Sequence, residues 1–279
     1  MKVAIIGIGL IGGSMAIALK EKGIAKKIIG VDASKAHRQK AVEAGLVDET
    51  MELEEAVKQV DLVILAVPVN VAEKLLPLIL DIVDKQVVFD TGSTKHLLCT
   101  MAAKNKNGHR FVATHPMWGT EFSGPEAAVK GAFENKAVVI CNKESCDQDA
   151  LALVEKIYND LKMHILYMDA AAHDLHAAYV SHISHITSFA LANTVLEKER
   201  EEDAIFEMAS AGFESTVRLA KSNPAMWVPI FMENRENVLD VLNEHITQLR
   251  KFKSCLEKEN YEYLAELIGN ANKIKRILQ

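Results

Sequence analysis

Three features of the chain predict its fold. Strands alternate with helices through the first 168 residues, a glycine-rich turn follows the first strand, and only helical patterning remains after Asp169. Together they predict an α/β Rossmann-like doubly wound sheet over 1–168 and an all-α C-terminal domain over 169–279.

The first strand is the apolar run Val3 to Ile6. Gly7, Gly9 and Gly12 follow at the G-x-G-x-x-G spacing, and Ile11, Met15, Ala18 and Leu19 then recur at helical spacing. Strand, glycine turn and helix in that order are the context a dinucleotide site requires. Gly7 permits the tight turn, Gly9 clears the backbone for a pyrophosphate, and Gly12 lets helix and strand pack closely. The amides at the helix start, around Leu10 and Ile11, then face the two phosphates. A second strand, Lys27 to Val31, ends in Asp32. A carboxylate about 20 residues past the glycines is placed to accept the adenosine ribose hydroxyls and to repel a 2′-phosphate, which favours NAD over NADP. Asp32 read alone is an ordinary turn residue. Lys2 and Ala16-Ile-Ala18 also outline a signal peptide with an A-x-A cleavage site, but four glycines interrupt the apolar core that such a signal needs.

A helix from about Lys35 to Ala44 closes at Gly45, and Asp61 to Val67 is a continuous apolar run suited to a strand buried on both faces. Pro68 stops it, and Val71, Leu75, Leu78, Ile79 and Ile82 mark an amphipathic helix. Further strands are expected at Val87–Asp90, Arg110–Thr114, Ala137–Cys141 and His164–Tyr167, with a helix between the last two. From Asp169 to about Arg200 the pattern predicts one long helix, with Tyr179, Ile183, Ile186, Ala190 and Asn193 on one stripe. The charge run Glu197–Asp203 reads as a solvated end, followed by a helix over about Ile205–Ser222. Asn223-Pro224 then caps a helix predicted to run to about Lys258, with Val238, Leu242, His245, Leu249, Phe252 and Leu256 at coiled-coil-like spacing. Leu264, Ile268, Ala271, Ile274 and Leu278 mark the last helix. Such broad apolar faces in a short domain predict a homodimer through the helical domain.

The 279 residues, 49% hydrophobic and 25% charged, suit a soluble two-domain protein. The net charge of −6 is spread along the chain, so nothing points to a nucleic-acid or membrane partner. Four cysteines without a C-x-x-C pair fit free thiols in the cytoplasm.

Ligands of an open α/β sheet sit beyond the carboxyl ends of its strands. Ser93-Thr94-Lys95 and His115 fall there. Ser93 suits a hydrogen bond to substrate or nicotinamide, or else caps the helix beginning near Lys95. His115 is a candidate base for an alcohol being oxidised. Arg218 is a candidate clamp for a carboxylate. His173, His176, His182 and His185 invite a metal reading, but regular helical phase puts the first two nearly opposite the last two, and no H-E-x-x-H occurs. No metal is expected.

The segments Gly7–Gly13, Ser93–Lys95, His115-Pro-Met-Trp-Gly-Thr-Glu-Phe-Ser-Gly124, Ser181-His-Ile-Ser-His185 and Arg218–Trp227 follow the order seen in prephenate and arogenate dehydrogenases. The chain resembles that family over essentially its whole length, most specifically in the stretch from His115 to Gly124. The resemblance implies an NAD-dependent oxidative decarboxylation in tyrosine biosynthesis, acting on prephenate or arogenate. By match, His115 is the base and Ser93 positions His115, nicotinamide and hydroxyl. Arg218 holds the side-chain carboxylate, His185 is a second substrate contact, and Thr120 and Glu121 belong to the site entrance. The resemblance also implies a dimer whose clefts can borrow residues from the neighbouring chain, while the stop at Gln279 soon after the last helix predicts no room for a fused chorismate mutase or C-terminal regulatory domain. Ser184 stands where the family has Pro, which removes a kink, and Ala211-Gly-Phe-Glu-Ser215 replaces a glycine run with an Asp. Two other readings are a β-hydroxyacid dehydrogenase using Lys221, whose sequence context does not match, and a non-catalytic NAD sensor, which would have no use for His115 and Arg218 together.

Overall fold

The computed structural model describes residues 1–199 and 205–277. Two compact units are present, Met1–Asn234 and Arg235–Gln279.

The first unit opens with β1 (Lys2–Ile6), α1 (Leu10–Glu21), β2 (Lys27–Val31), α2 (Lys35–Glu43), β3 (Glu49–Thr50), α3 (Leu53–Lys58), β4 (Leu62–Leu65), α4 (Val69–Ile82), β5 (Val87–Asp90) and α5 (His96–Ala102). It continues with β6 (Phe111–Pro116), β7 (Ala137–Cys141), α6 (Gln148–Asp160) and β8 (His164–Met168). The eight strands form one sheet in the order β3-β2-β1-β4-β5-β6-β7-β8. β1 lies between β2 and β4, so the strand order reverses there and opens the crevice in which a dinucleotide lies. Both faces of the sheet are covered, by one apolar cluster around Ile5, Met15 and Phe89 and another around Ile6, Leu65 and Leu76. Burial on both faces explains why β4 reads as an unbroken apolar run.

All strand pairs are parallel except β6 with β7, where His115 lies opposite Val139 and Pro116 opposite Val138. The chain reverses without a crossover helix, so residues 117–136 stay at the carboxyl edge beside the crevice. β6 begins one residue later than expected and includes His115. Arg110 instead closes a 3₁₀ turn, its guanidinium tied to Asp149 (2.7 Å) and to the Lys85 carbonyl (2.7 Å).

The helical segments depart further from the sequence expectation. The helix expected over 169–200 starts at α7 (Ala170–Ala177), capped by Asp169, which accepts the Ala172 N–H at 2.8 Å. It passes through a π turn, Ala178–His182, into α8 (Ile183–Glu199). A π turn adds a residue to the turn and shifts the helical phase by about 100°. The predicted stripe is displaced accordingly: Tyr179, Ala190 and Asn193 are exposed, while His173, Asp174, Ala177, Ala178, His182 and Ser188 are buried. Ser184 lies in the first turn of α8, two residues after the π turn ends at His182. Of the charge run, residues 200–203 lie outside the described residues, as does Leu278 of the last predicted stripe.

The helix expected over 205–222 is a 3₁₀ turn (Phe206–Met208), α9 (Ala211–Val217) and a second 3₁₀ turn (Arg218–Lys221). The helix expected to run from 224 to 258 is broken at Asn234 into α10 (Pro224–Glu233) and α11 (Arg235–Glu257). Asn234 leaves helical geometry (φ −98°, ψ 27°), and its buried amide donates to the Asp174 carbonyl at 2.6 Å and lies 3.1 Å from His182 Nδ1. The second unit comprises α11, α12 (Tyr261–Ala271) and a closing 3₁₀ segment. Val238, Val241 and Cys255 of α11 are buried, whereas Leu249 and Leu256 of the expected seam are exposed.

Candidate active site

The dinucleotide crevice is built by backbone constraint. Gly7 has φ +91°, and a Cβ there would meet the Ala66 carbonyl oxygen at 2.4 Å. A Cβ at Gly12 would meet the Gly7 carbonyl oxygen at 2.0 Å, so only glycine lets α1 approach the turn. α1 starts at Leu10, and its N-cap Gly9 has no side chain to occupy the first amides, which leaves the helix start around Leu10 and Ile11 suited to an anion. Asp32 closes the turn from the side: Oδ2 accepts the Ile8 N–H (3.0 Å) and Oδ1 the Ser34 N–H (2.8 Å).

The segment after β6 lies across this half of the molecule. Val129 N–H donates to Ser14 Oγ of α1 at 2.9 Å, Glu126 pairs with Lys40 of α2, and Trp118 packs edge-on against Phe133. Thr120 and Glu121 lie on this same segment. Thr120 Oγ1 accepts the Phe122 N–H at 3.3 Å.

His115 does not stand alone. Its Nδ1 is 2.9 Å from His173 Nε2, and His173 Nδ1 is 2.8 Å from Asp174 Oδ1. Asp174 also accepts the N–H groups of Lys95 (2.8 Å) and His96 (2.9 Å), capping α5 from a different helix. This settles the second reading of Ser93: the cap comes from Asp174, and the half-buried Ser93 hydroxyl makes no hydrogen bond among the described residues. Burial pushes the Asp174 carboxyl up, but hydrogen bonds from His173, His96 and Lys95 outweigh it and hold it below the usual carboxylate range. An ionised Asp174 can only accept, so His173 donates from Nδ1 and, in the neutral pair, accepts the His115 Nδ1–H at Nε2. His115 Nε2 is then left with a lone pair.

Beneath this relay, the Lys95 ammonium is fully buried, paired with Asp90 and donating to the Thr114 carbonyl at 2.8 Å. Burial first, then the surrounding His173, Lys95 and His182 side chains, hold the His115 imidazolium well below its ordinary range. The ring is therefore neutral near pH 7.

Arg218 and Glu121 come together loosely, with 3.8 Å between Arg218 Nη1 and Glu121 Oε2, and the Arg218 side chain is 55% exposed. His185 stacks on Trp227 (centroids 3.4 Å apart, planes at 26°), its Nδ1 bonded to the Ser181 carbonyl at 3.1 Å. Burial holds the His185 imidazolium below its usual range, and Arg218 adds to the effect. His182 meets Trp227 edge-on, which joins this cluster to the His115 relay. Sequence reasoning missed Asp174 and Asn234, and weighed His173 only as one of four candidate metal ligands. The adjacent His-Asp pair was visible, but the π turn that brings it onto the His182 side was not.

A profile described as the prephenate dehydrogenase nucleotide-binding domain matches residues 15–167, and one described as the prephenate dehydrogenase dimerization domain matches 169–270. The chain belongs to the prephenate dehydrogenase family. It is 30% identical to the prephenate dehydrogenase of Bacillus subtilis over 94% of this chain and 72% of that one. It is also 30% identical to the cyclohexadienyl dehydrogenase of Zymomonas mobilis over 99% of this chain and 96% of that one. A crystal structure of prephenate dehydrogenase from Aquifex aeolicus, in complex with hydroxyphenyl propionate and NAD+, superposes with a TM-score of 0.89 at 33% identity, covering 99% of this chain and 97% of that one. The crevice of this family member fits NAD on its own geometry: an uncapped helix start for the pyrophosphate, and at Asp32 a carboxylate rather than a cation for the ribose. Among the described residues, no helix is long and apolar enough to cross a membrane.

Proposed function

We infer that this NAD-dependent oxidoreductase converts prephenate to 4-hydroxyphenylpyruvate by oxidative decarboxylation, a step of tyrosine biosynthesis. The observation that carries the reading is the His115–His173–Asp174 relay at the carboxyl edge of the sheet, with distances of 2.9 and 2.8 Å. When bound, NAD supplies the hydride acceptor. His115 Nε2 takes the proton of the C4 hydroxyl as the hydride departs. His173 and Asp174 hold the His115 tautomer and stabilise the positive charge that the ring acquires. Loss of CO₂ makes the ring aromatic, so this step needs little beyond orientation.

Ser93, on the segment between β5 and α5, has a hydroxyl uncommitted to capping and available to the substrate hydroxyl or the nicotinamide. Arg218 binds the side-chain carboxylate; its exposed, loosely held guanidinium can exchange Glu121 for a ligand. His185 lines the same cleft, with Thr120 and Glu121 at its entrance. Gly7, Gly9, Leu10, Ile11, Gly12 and Asp32 hold the cofactor. On this reading 1–168 is the dinucleotide-binding domain and 169–279 the substrate and dimerisation domain of a cytoplasmic homodimer. The exposed Leu249, Leu256 and Ile268 support the dimer.

Arogenate is the second reading, favoured by the similarity to a cyclohexadienyl dehydrogenase. Purified protein with NAD and either substrate is expected to generate reduced-cofactor absorbance. Absence of signal with both would overturn the assignment, and the ratio of the two kcat/KM values identifies the preferred substrate.

A further inference from the structure

The first turns of α2 are basic. Lys35, His37, Arg38 and Lys40 follow one another closely with no acid between them. Three of the four face an acid brought from another element. His37 Nδ1 lies 3.5 Å from Oδ1 of Asp32, just past β2. Arg38 Nη1 lies 3.2 Å from Oε1 of Glu52, the residue before α3. Lys40 Nζ pairs with Glu126 of the β6–β7 connection. Glu126 is seated by contacts other than that pair. Val129 N–H donates to Ser14 Oγ at 2.9 Å, and Ala128 packs so close to Gly13 that a Cβ there would meet the Ala128 Cβ at 2.8 Å. The Lys40 hydrogen bond is the main cause that holds the Glu126 carboxyl below the usual range, and His37 adds to it.

These pairs bear on the choice of cofactor. Asp32 is placed to receive the adenosine ribose hydroxyls. A 2′-phosphate is bonded to that ribose, so it would be set against Asp32 and beside His37, with Lys40 one helical turn further on. Asp32 has little freedom to swing away: both of its oxygens accept backbone N–H groups, from Ile8 and Ser34, and its side chain is 13% exposed. We propose that His37 and Lys40 form a latent 2′-phosphate site that two acids, Asp32 and Glu126, keep closed to NADP. Asp32 repels the phosphate directly and faces His37. Glu126 takes up Lys40 and offsets its charge. Arg38 is held by Glu52 and is left out of the site. Glu126 is thus a specificity-determining residue contributed by the connection after β6 rather than by the glycine turn and β2. The Lys40 and Glu126 side chains are about half exposed, so their effect is a modest one that salt weakens.

The proposal rests on the reading that the crevice takes NAD, and binding separates the two without any turnover. Titration calorimetry of the whole chain with NAD and with NADP at about 0.01 M salt is the measurement. Glu126→Gln, an exposed change that does not threaten the fold, is expected to tighten NADP about threefold or more and to hold NAD within about twofold of the parent. Adding Lys40→Met should remove that gain. Asp32→Asn should tighten NADP about tenfold and weaken NAD, and adding His37→Ala should remove at least about half of that tightening. The Glu126 effect should fade at about 1 M salt, where charges are screened within about 3 Å. The latent site is overturned by unchanged NADP affinity in Glu126→Gln at low salt, or by a gain that survives Lys40→Met or about 1 M salt. It is equally overturned if the full Asp32→Asn gain survives His37→Ala. A parent that binds no NAD would overturn the cofactor assignment itself, and the proposal with it.

Discussion

On the proposed mechanism, His115 serves as a base because it is kept neutral. Burial and the buried Lys95, His173 and His182 around it lower its protonation range, so it stays an acceptor at pH values where a solvated histidine would already be charged. The sign follows directly. A depressed imidazole pKa leaves the base unprotonated as pH falls through the ordinary value of 6.5, and activity is lost only further down. The acid limb of kcat/KM is expected below pH 6.5, and a midpoint above it would show that His115 titrates as if solvated. Asp174 fixes the tautomer of the relay, so Asp174→Asn should lower kcat by about 10²–10⁴ through a misdirected His173. A change within about threefold would remove Asp174 from the mechanism. As the proposed carboxylate clamp, Arg218 would act before the chemistry as well as during it. Arg218→Ala is expected to raise KM for prephenate, and a fall in kcat at constant KM would contradict the clamp. The tight turn at Gly7, the close approach at Gly12 and the position of Asp32 beside that turn were legible because they depend on local backbone geometry and short spacing. The role of Asp174 was not, because it caps a helix 78 residues earlier in the chain.

At the level of elements, the β strands were readable and the helices after Asp169 were not fully so. Strands buried on both faces carry a continuous apolar signature. The segment from Asp169 to Glu199 satisfies helical periodicity as well, but the π turn at Ala178–His182 leaves no compositional mark, and it moves His173 and His182 onto one side. Asn234 ends α10 for a tertiary reason, since its amide serves Asp174 and His182. Asn234→Ala leaves those two acceptors unserved and should cost about 1–3 kcal/mol in chemical denaturation, with lower activity. A loss under about 0.5 kcal/mol would mean that the break in the helix has another cause.

For the whole molecule, the proposed function depends on joining the cleft residues of the helical segments to the sheet. The sheet sets the crevice through its order and through the reversal of β7, while α7 reaches back to cap α5 and to support His115. The helical segments add Arg218, His185 and Trp227. The exposed apolar residues of α11 and α12 were legible as a face in want of a partner. Light scattering is expected to give the mass of two chains. Leu256→Glu, at a position 67% exposed, should shift that mass toward one chain, and an unchanged dimer would place the interface elsewhere.

The central claim is that His115 removes the hydroxyl proton as hydride leaves, and His115→Asn tests it most directly when turnover and cofactor binding are measured on the same preparation. The account predicts kcat with prephenate lower by about 10²–10⁴ and an NAD dissociation constant within about twofold of the parent. Turnover within a few-fold of the parent, with NAD still bound, would contradict it.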